Sequence, residues 1–165
     1  MTGAQIGTVF HRMMRMMDLG ALRGTANLEE EIARQMKEML EFGVVTQREY
    51  DAVPAYMLLR FFVSPLGVRL LGSSRVEREW AFTYRRKTET GEEQLVQGVI
   101  DCCFEERGHW ILVDYKTDSA ADIASVLDKH RPQIDLYAKA LETITGVGVK
   151  ERILYLVRAG RSFAV

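Results

Sequence analysis

One stretch limits the possible folds more than any other. Gly98 to Lys116 reads Gly-Val-Ile-Asp-Cys-Cys-Phe-Glu-Glu-Arg-Gly-His-Trp-Ile-Leu-Val-Asp-Tyr-Lys. Leu95 to Glu105 is mostly apolar and β-branched, Arg107-Gly108 is a turn signal, and Trp110 to Tyr115 is a second apolar run. That is the pattern of a β-hairpin. Strand side chains alternate faces with a period of two. Ile111, Val113 and Tyr115 therefore face one way, and Trp110, Leu112, Asp114 and Lys116 the other. Asp101 interrupts the first run after Val99 and Ile100. A turn near Arg107-Gly108 sets it roughly across from the end of the second strand.

Two carboxylates and a lysine would then converge at one edge of a mostly buried sheet. A charge in an apolar strand is costly unless it is paired or bound to metal. Carboxylates brought together repel, and a divalent cation relieves the repulsion. Oxygen ligands suit Mg²⁺ or Mn²⁺. A lysine beside such an ion acts as a point charge on a phosphate or on an attacking water. An isolated Asp-x-Lys is more often an exposed salt bridge, and here that is the competing interpretation of Asp114 and Lys116.

The wider pattern discriminates between them. Gly-Val-Ile-Asp, a hairpin, Asp-Tyr-Lys-Thr-Asp and then Gln133-x-x-x-Tyr137 on a following helix resemble the RecB-type branch of the PD-(D/E)xK nucleases, and Gly7-Thr8-x-x-His11 fits the same branch. Within it the resemblance is to the nuclease domains of AddAB helicase–nucleases, on the AddA side, and it covers almost the whole chain. Asp-Tyr-Lys-Thr-Asp combined with the Gln/Tyr pair is specific; each piece alone is not.

Composition sets bounds. The chain has 165 residues, enough for one domain with a real core. Its 47% apolar and 27% charged residues are those of a soluble globular protein, with no run long enough to span a membrane. The N-terminus lacks a signal-peptide h-region, so a cytoplasmic setting and no membrane partner are expected. Cys102 and Cys103 are adjacent on a strand and point to opposite faces, so they read as small core residues. Two cysteines cannot hold an iron–sulfur cluster, which needs about four. The AddB-type partner carries such a cluster by resemblance, so its absence favours the AddA side. No Gly-x-x-x-x-Gly-Lys-Ser/Thr stretch occurs, so no ATP site or helicase motor is expected. The net charge of −1 is unlike a stand-alone nucleic-acid binder, although basic residues cluster at Arg75/Arg78, Arg85-Arg86-Lys87 and Lys129-His130-Arg131.

Before the hairpin the chain reads as helical. Gly7-Thr8 looks like a helix start, and Phe10, Met13, Met14 and Met17 form a stripe at helical spacing. Asn27 with Glu30, and Thr46 with Glu49, make capping boxes. Ile32, Met36, Met39 and Leu40 form an apolar face that Gly43 ends. Pro54 kinks a helix or begins one. Leu58, Leu59, Phe61 and Phe62 read as core, and Ser64-Pro65 caps a short helix to about Leu71. Arg75 to Arg86 is a first strand with Trp80, Phe82 and Tyr84 alternating, closed by a turn at Thr90-Gly91. Beyond the hairpin, 120–129 and 131–145 read as helices, the second with Ile134, Ala138, Leu141 and Ile144 inward and ended by Gly146. Gln133 and Tyr137 share a different face of it. Glu151 to Arg158 and Arg161 to Val165 read as strands around Ala159-Gly160.

The expected fold is α/β: a restriction-endonuclease-like core with a mixed central sheet of about five strands flanked by helices. Residues 1–165 form one nuclease domain, with a helical part over 1–72 and the sheet core and active site over 73–165. The resemblance implies a C-terminal piece of a larger helicase–nuclease. It implies metal-dependent hydrolysis of DNA by an exonuclease domain acting on single strands unwound by an attached helicase in double-strand break repair and recombination. Asp101 and Asp114 would hold Mg²⁺, or Mn²⁺ in its place, with His11 and the Tyr115 carbonyl completing the shell. Lys116 would act on the water or phosphate, and Gln133 and Tyr137 would position the strand or the site's side chains. Glu79 is either a further site carboxylate or a surface partner of Arg78. The implied partners are DNA, the helicase domain of the same chain and an AddB-like second subunit. Two rivals stand beside this: a non-catalytic DNA-binding or docking module, which would be expected to have lost one of His11, Asp101, Asp114 and Lys116, and a stand-alone exonuclease.

Overall fold

The computed structural model describes residues 1–87 and 90–165. In chain order it runs α1 (Gly3–Met16), α2 (Leu19–Gly24), α3 (Leu28–Glu41), α4 (Gln47–Ala52), α5 (Ala55–Phe62), α6 (Pro65–Gly72), β1 (Val76–Lys87), β2 (Glu93–Glu106), β3 (His109–Lys116), α7 (Ile123–Thr145), β4 (Val149–Leu156) and β5 (Arg161–Ala164). The strands form one sheet in the order β1-β2-β3-β4-β5. β1/β2 and β2/β3 are antiparallel. β4 runs parallel to β3, since the Trp110 amide bonds the Gly148 carbonyl and, further along both strands, the Val157 amide bonds the Lys116 carbonyl. The sheet is thus mixed and the fold α/β.

Two compact units divide the chain. The first is Met1–Ser73 with Tyr115–Ala121 and Tyr155–Ser162; the second is Ser74–Asp114, Asp122–Leu154 and Phe163–Val165.

In the first unit, packing follows the apolar stripes. Phe10, Met13 and Met17 are buried, as are Ile32, Met36 and Met39. Phe61 stands edge-on to Tyr115 at 5.5 Å and to Tyr155 at 4.9 Å, joining α5 to the ends of β3 and β4. Burial pushes the Tyr155 hydroxyl up to about 12. Several boundaries differ from expectation. α1 begins at Gly3, not at Gly7-Thr8, because Thr2 and Gln5 form a capping box upstream. Asn27 accepts from the Glu30 amide, but its own amide bonds the Thr25 hydroxyl, so that cap is one-sided. The Thr46/Glu49 box forms in both directions. Of its two expected roles, Pro54 takes the second: it is the N-cap that begins α5. Met57 takes the core position expected of Leu59, which is half-buried. Helix α2, capped by Asp18, had no sequence expectation at all.

In the second unit, the β2/β3 turn holds Arg107 at φ 52 and Gly108 at φ 77, the two positive values of a tight two-residue hairpin. Every residue from Trp110 to Tyr115 is buried, so β3 is covered on both faces. Cys102 and Cys103 are both buried free thiols, and burial holds the Cys103 thiol far above its ordinary pKa. Residues 123–145 form one helix with Pro132 inside it, not two. Its buried side carries Ile134, Ala138 and Leu141 as expected, together with Ala140, whereas Ile144 is 43% exposed. This helix lies against β1 and β2 through Phe82, Val96 and Ile100.

Candidate active site

Register places the acids. All pairs between β2 and β3 obey one antiparallel offset that ends at Cys102 opposite Val113, so the next step outward sets Asp101 opposite Asp114. Between β1 and β2 the pairing runs through Arg78 opposite Cys102 and Trp80 opposite Ile100, with Glu79 and Asp101 facing each other at the skipped step. Three carboxylates, one per strand, thus form a row across the sheet. Asp114 is only 2% exposed, and Glu79 and Asp101 are half-buried. One carboxylate oxygen of Glu79 and one of Asp101 lie within 4.8 Å of each other. That spacing suits oxygen donors gathered about a hard cation.

Glu79 reaches this place through an unusual backbone. Its φ of 50 lies in the left-handed region inside an otherwise regular strand. A glutamate held there costs on the order of 1 kcal/mol or more and persists only where its surroundings enforce it. The strand's facing pattern shifts at the same step. Val96 and Ile100 are on the core side before Asp101, and Cys103 is on it after, an odd interval for a period-two strand. The sequence leaves Glu79 undecided between the site and a surface pair with Arg78. A local signal for its conformation is missing there, because glutamate has no preference for positive φ.

The first unit holds His11, Tyr115 and Lys116. His11 Nε2 lies 3.1 Å from the Tyr115 carbonyl oxygen; a carbonyl only accepts, so Nε2 donates. The His11 ring also meets the Tyr115 ring edge-on at 5.6 Å. Tyr115 directly follows Asp114 in the chain. About 3 Å is also the edge of an octahedron with bonds near 2.1 Å, so the same nitrogen and oxygen are spaced as neighbouring ligands of Mg²⁺. Lys116 is half-buried, and its carbonyl accepts from the Val157 amide at 2.9 Å, which fixes the strand end that carries it.

The glycine pattern of α1 explains how His11 comes to lie there. Gly3, Gly7 and His11 recur every four residues and share one helix face. The Thr117 hydroxyl donates to the Gly3 carbonyl at 3.0 Å, and a Cβ on Gly7 would lie 3.3 Å from Thr117 Cγ2. Gly7 therefore serves close approach of the helix to residues 115–117, not helix initiation. The four-residue spacing of Gly3 and Gly7 is the sequence signal for this contact, and it is easily taken for a helix start instead.

On α7 the paired residues do meet. Gln133 Nε2 donates to the Tyr137 hydroxyl at 2.9 Å. Gln133 is exposed and Tyr137 half-buried. The Tyr137 ring stands edge-on to Phe82 at 5.6 Å. A Cβ on Gly98 would come within 2.7 Å of Phe82 and 3.0 Å of Tyr137, so Gly98, three residues before Asp101, leaves room for both rings. Tyr137 is thus partly a packing residue, more so than its separation from the Ile134 stripe implied.

Over 98% of its length the chain is 37% identical to an ATP-dependent helicase/nuclease subunit of Acetivibrio thermocellus, and it spans 13% of that protein. Over 94% it is 35% identical to the protein of the same name in Clostridium kluyveri and 38% identical to that in Alkaliphilus metalliredigens, spanning 13% and 14% of them. The chain therefore corresponds to a small part of the length of these relatives. The description of the PD-(D/E)XK nuclease superfamily matches residues 1–163, which takes in α1 with its histidine, the acidic row, Lys116 and the Gln/Tyr helix in a single stretch. The chain belongs to the PD-(D/E)XK nuclease superfamily.

Proposed function

We propose that this chain is the nuclease module of an AddA-type helicase–nuclease, hydrolysing phosphodiester bonds of DNA with Mg²⁺, which Mn²⁺ can replace. The observation that carries the reading is the row Glu79, Asp101, Asp114, in which a nearly fully buried carboxylate lies opposite a half-buried pair. The donor set fits a hard divalent cation: Asp101 and Asp114 would hold it, with His11 Nε2, the Tyr115 carbonyl and Glu79 as further ligands. Held by these residues, Mg²⁺ would supply a lowered pKa for water and an offset for charge that builds up on the phosphate. For His11 to ligate through Nε2, its ring proton must reside on Nδ1. Lys116 has donors only, so it orients the attacking water or neutralises the phosphate rather than binding the cation. Gln133 and Tyr137, tied to each other, position the strand or the side chains of the site.

The substrate in this reading is single-stranded DNA, delivered by a helicase domain of the same full-length chain during double-strand break repair and recombination. An AddB-like second subunit would accompany it in the cytoplasm. The relatives' names as helicase/nuclease subunits support the attached helicase and the membership of a larger assembly. Among the described residues no single helix is long and apolar enough to cross a membrane.

The test is cleavage of end-labelled single- and double-stranded oligonucleotides by the 165-residue chain. Single strands should be degraded with Mg²⁺ or Mn²⁺ and left intact with EDTA. DNA binding without cleavage under either cation would transfer the chain to the non-catalytic reading. Affinity in this assay should be low. With a net charge of −1 and only small basic clusters, the chain should neutralise few phosphates, so log K should fall against log salt with a slope no steeper than about −3. Tight, strongly salt-dependent binding would favour a stand-alone exonuclease instead.

His11 offers a separate check. His11→Ala removes the hydrogen bond to the Tyr115 carbonyl in the cation-free chain and one ligand in the loaded chain, at a half-buried position. Mn²⁺ affinity measured by calorimetry should fall about tenfold or more, while stability changes by about 1 kcal/mol. A large stability loss with unchanged Mn²⁺ affinity would make His11 a packing residue.

A further inference from the structure

Three basic clusters stand out in the sequence, and each has at least one ion pair within the fold. Arg75 lies over the Trp110 ring at 4.6 Å and pairs with Glu105 at 3.4 Å. Arg131 meets Asp128 at 4.0 Å. The third, Arg85-Arg86-Lys87, is exposed at the end of β1. Here β1 and β2 form a two-stranded arm: residues 81–87 pair with 93–99, whereas β3 pairs with β2 from Cys102 onward. One face of the arm packs on α7 through Phe82 and Val96.

Between the arm's tip and α7 lies a groove of about 570 Å³, whose lining includes Tyr84, Arg85, Arg86, Lys87, Asp135 and Lys139. Four cations thus line it with one carboxylate. Asp135 is bonded by Arg152 at 2.6 Å, so its charge is already met from outside the lining. Arg86 is held by a neutral partner, its Nε donating to Gln94 Oε1 at 2.8 Å, which orients the guanidinium without cancelling its charge. Arg85 pairs with Glu93 at 3.4 Å. In a chain of net charge −1, this concentration makes a local positive potential out of proportion to the whole. Half-buried Tyr84 adds a ring at the wall. Cations with an aromatic ring are the elements that bind single-stranded nucleic acid without reading its sequence.

We propose that this groove binds the sugar–phosphate backbone of single-stranded DNA away from the acidic row, with Arg86, Lys87 and Lys139 on phosphates and Tyr84 against a base. The inference rests on the reading of the chain as a single-strand nuclease module. Glu79 and the tip lie on the same strand, with Tyr84 to Lys87 five to eight residues further on, roughly 17–26 Å at about 3.3 Å per residue. α7 links the two regions: it carries Gln133 and Tyr137 and also Asp135 and Lys139. A strand held at both ends spans several nucleotides, so the groove contributes to grip and leaves the bond-breaking step to the acids and Lys116.

The test is fluorescence anisotropy of labelled oligothymidylate in EDTA at several salt concentrations, using the 165-residue chain and its Arg86→Gln/Lys139→Gln variant. Both side chains are exposed, so the variant should fold, and far-UV circular dichroism checks this. Each lost phosphate contact removes about 0.7 from the single-strand salt slope, so the double variant should lose about 1.4 and bind at least about tenfold more weakly at low salt. Lys37→Gln, on the exposed side of α3, should change neither quantity. An unchanged slope in the double variant, or an equal loss in Lys37→Gln, overturns the proposal. So does stronger competition by oligoglutamate than by unlabelled oligothymidylate, which would give the groove to an acidic peptide. Because binding is read without a cation, the result is separate from cleavage. Failure to cleave sinks the nuclease reading alone, and an unchanged slope sinks the groove alone.

Discussion

Asp101→Asn and Asp114→Asn should each lower DNA cleavage by about 10³-fold or more, beyond the usual loss of a single preorganised contact, because each removes a ligand rather than a donor. The amide is nearly isosteric with the carboxylate, so the strands should hold their places. Without added cation the two variants should differ from most core substitutions. Glu79 and Asp101 offer oxygens within 4.8 Å of one another. Two unit charges that close repel, and removing one relieves the repulsion. Thermal unfolding of Asp101→Asn in EDTA should therefore occur at the same or a higher temperature than in the unsubstituted chain. Addition of Mn²⁺ should raise the Tm of the unsubstituted chain by ligand linkage and leave that of the variant nearly unmoved. Retained nuclease activity in either variant would remove the acids from the site. A Tm lowered in EDTA would assign Asp101 a stabilising role in the sheet.

Lys116→Ala should separate binding from turnover. The ammonium has three donors and no acceptor, so it cannot ligate a cation. It follows Asp114 by two residues on a strand end fixed by the bond from Val157 to its own carbonyl. Removing the ammonium takes away a positive charge near the acids, so Mn²⁺ affinity measured by calorimetry should be unchanged or slightly tighter. Cleavage should fall by about 10²-fold or more, the scale of one electrostatic contact to charge that develops during reaction. If metal binding and cleavage fell together, Lys116 would be holding the carboxylates in place instead of acting on the phosphate.

Much of the candidate site was legible because it lies within one hairpin. The Arg107-Gly108 turn determines the pairing of β2 and β3, and pairing alone carries Asp101 to Asp114. Gln133 and Tyr137 were equally accessible, since a spacing of four on a helix needs no tertiary information. The fold class followed from the same patterns, an alternating apolar run here and a helical stripe there. Errors gathered at boundaries, where local signals compete. Gly7 looked like a helix start, whereas its lack of a side chain serves contact with Thr117. Pro132 looked like a division between two helices and is carried inside one.

What the sequence determined by itself, then, was local: turn chemistry, facing pattern and spacing, which brought two acids and a lysine to one strand end and a Gln/Tyr pair to one helix face. The tertiary structure decided what no short window contains. Glu79 joins Asp101 only because β1 pairs with β2 at an offset that β1 does not encode alone, and because packing holds it at a positive φ its own chemistry disfavours. The shift in strand facing between Ile100 and Cys103 has the same origin. His11 reaches the Tyr115 carbonyl across 104 residues of chain because two glycines let α1 approach residue 117. Contacts between distant segments depend on how whole faces fit, and period and propensity describe one segment at a time.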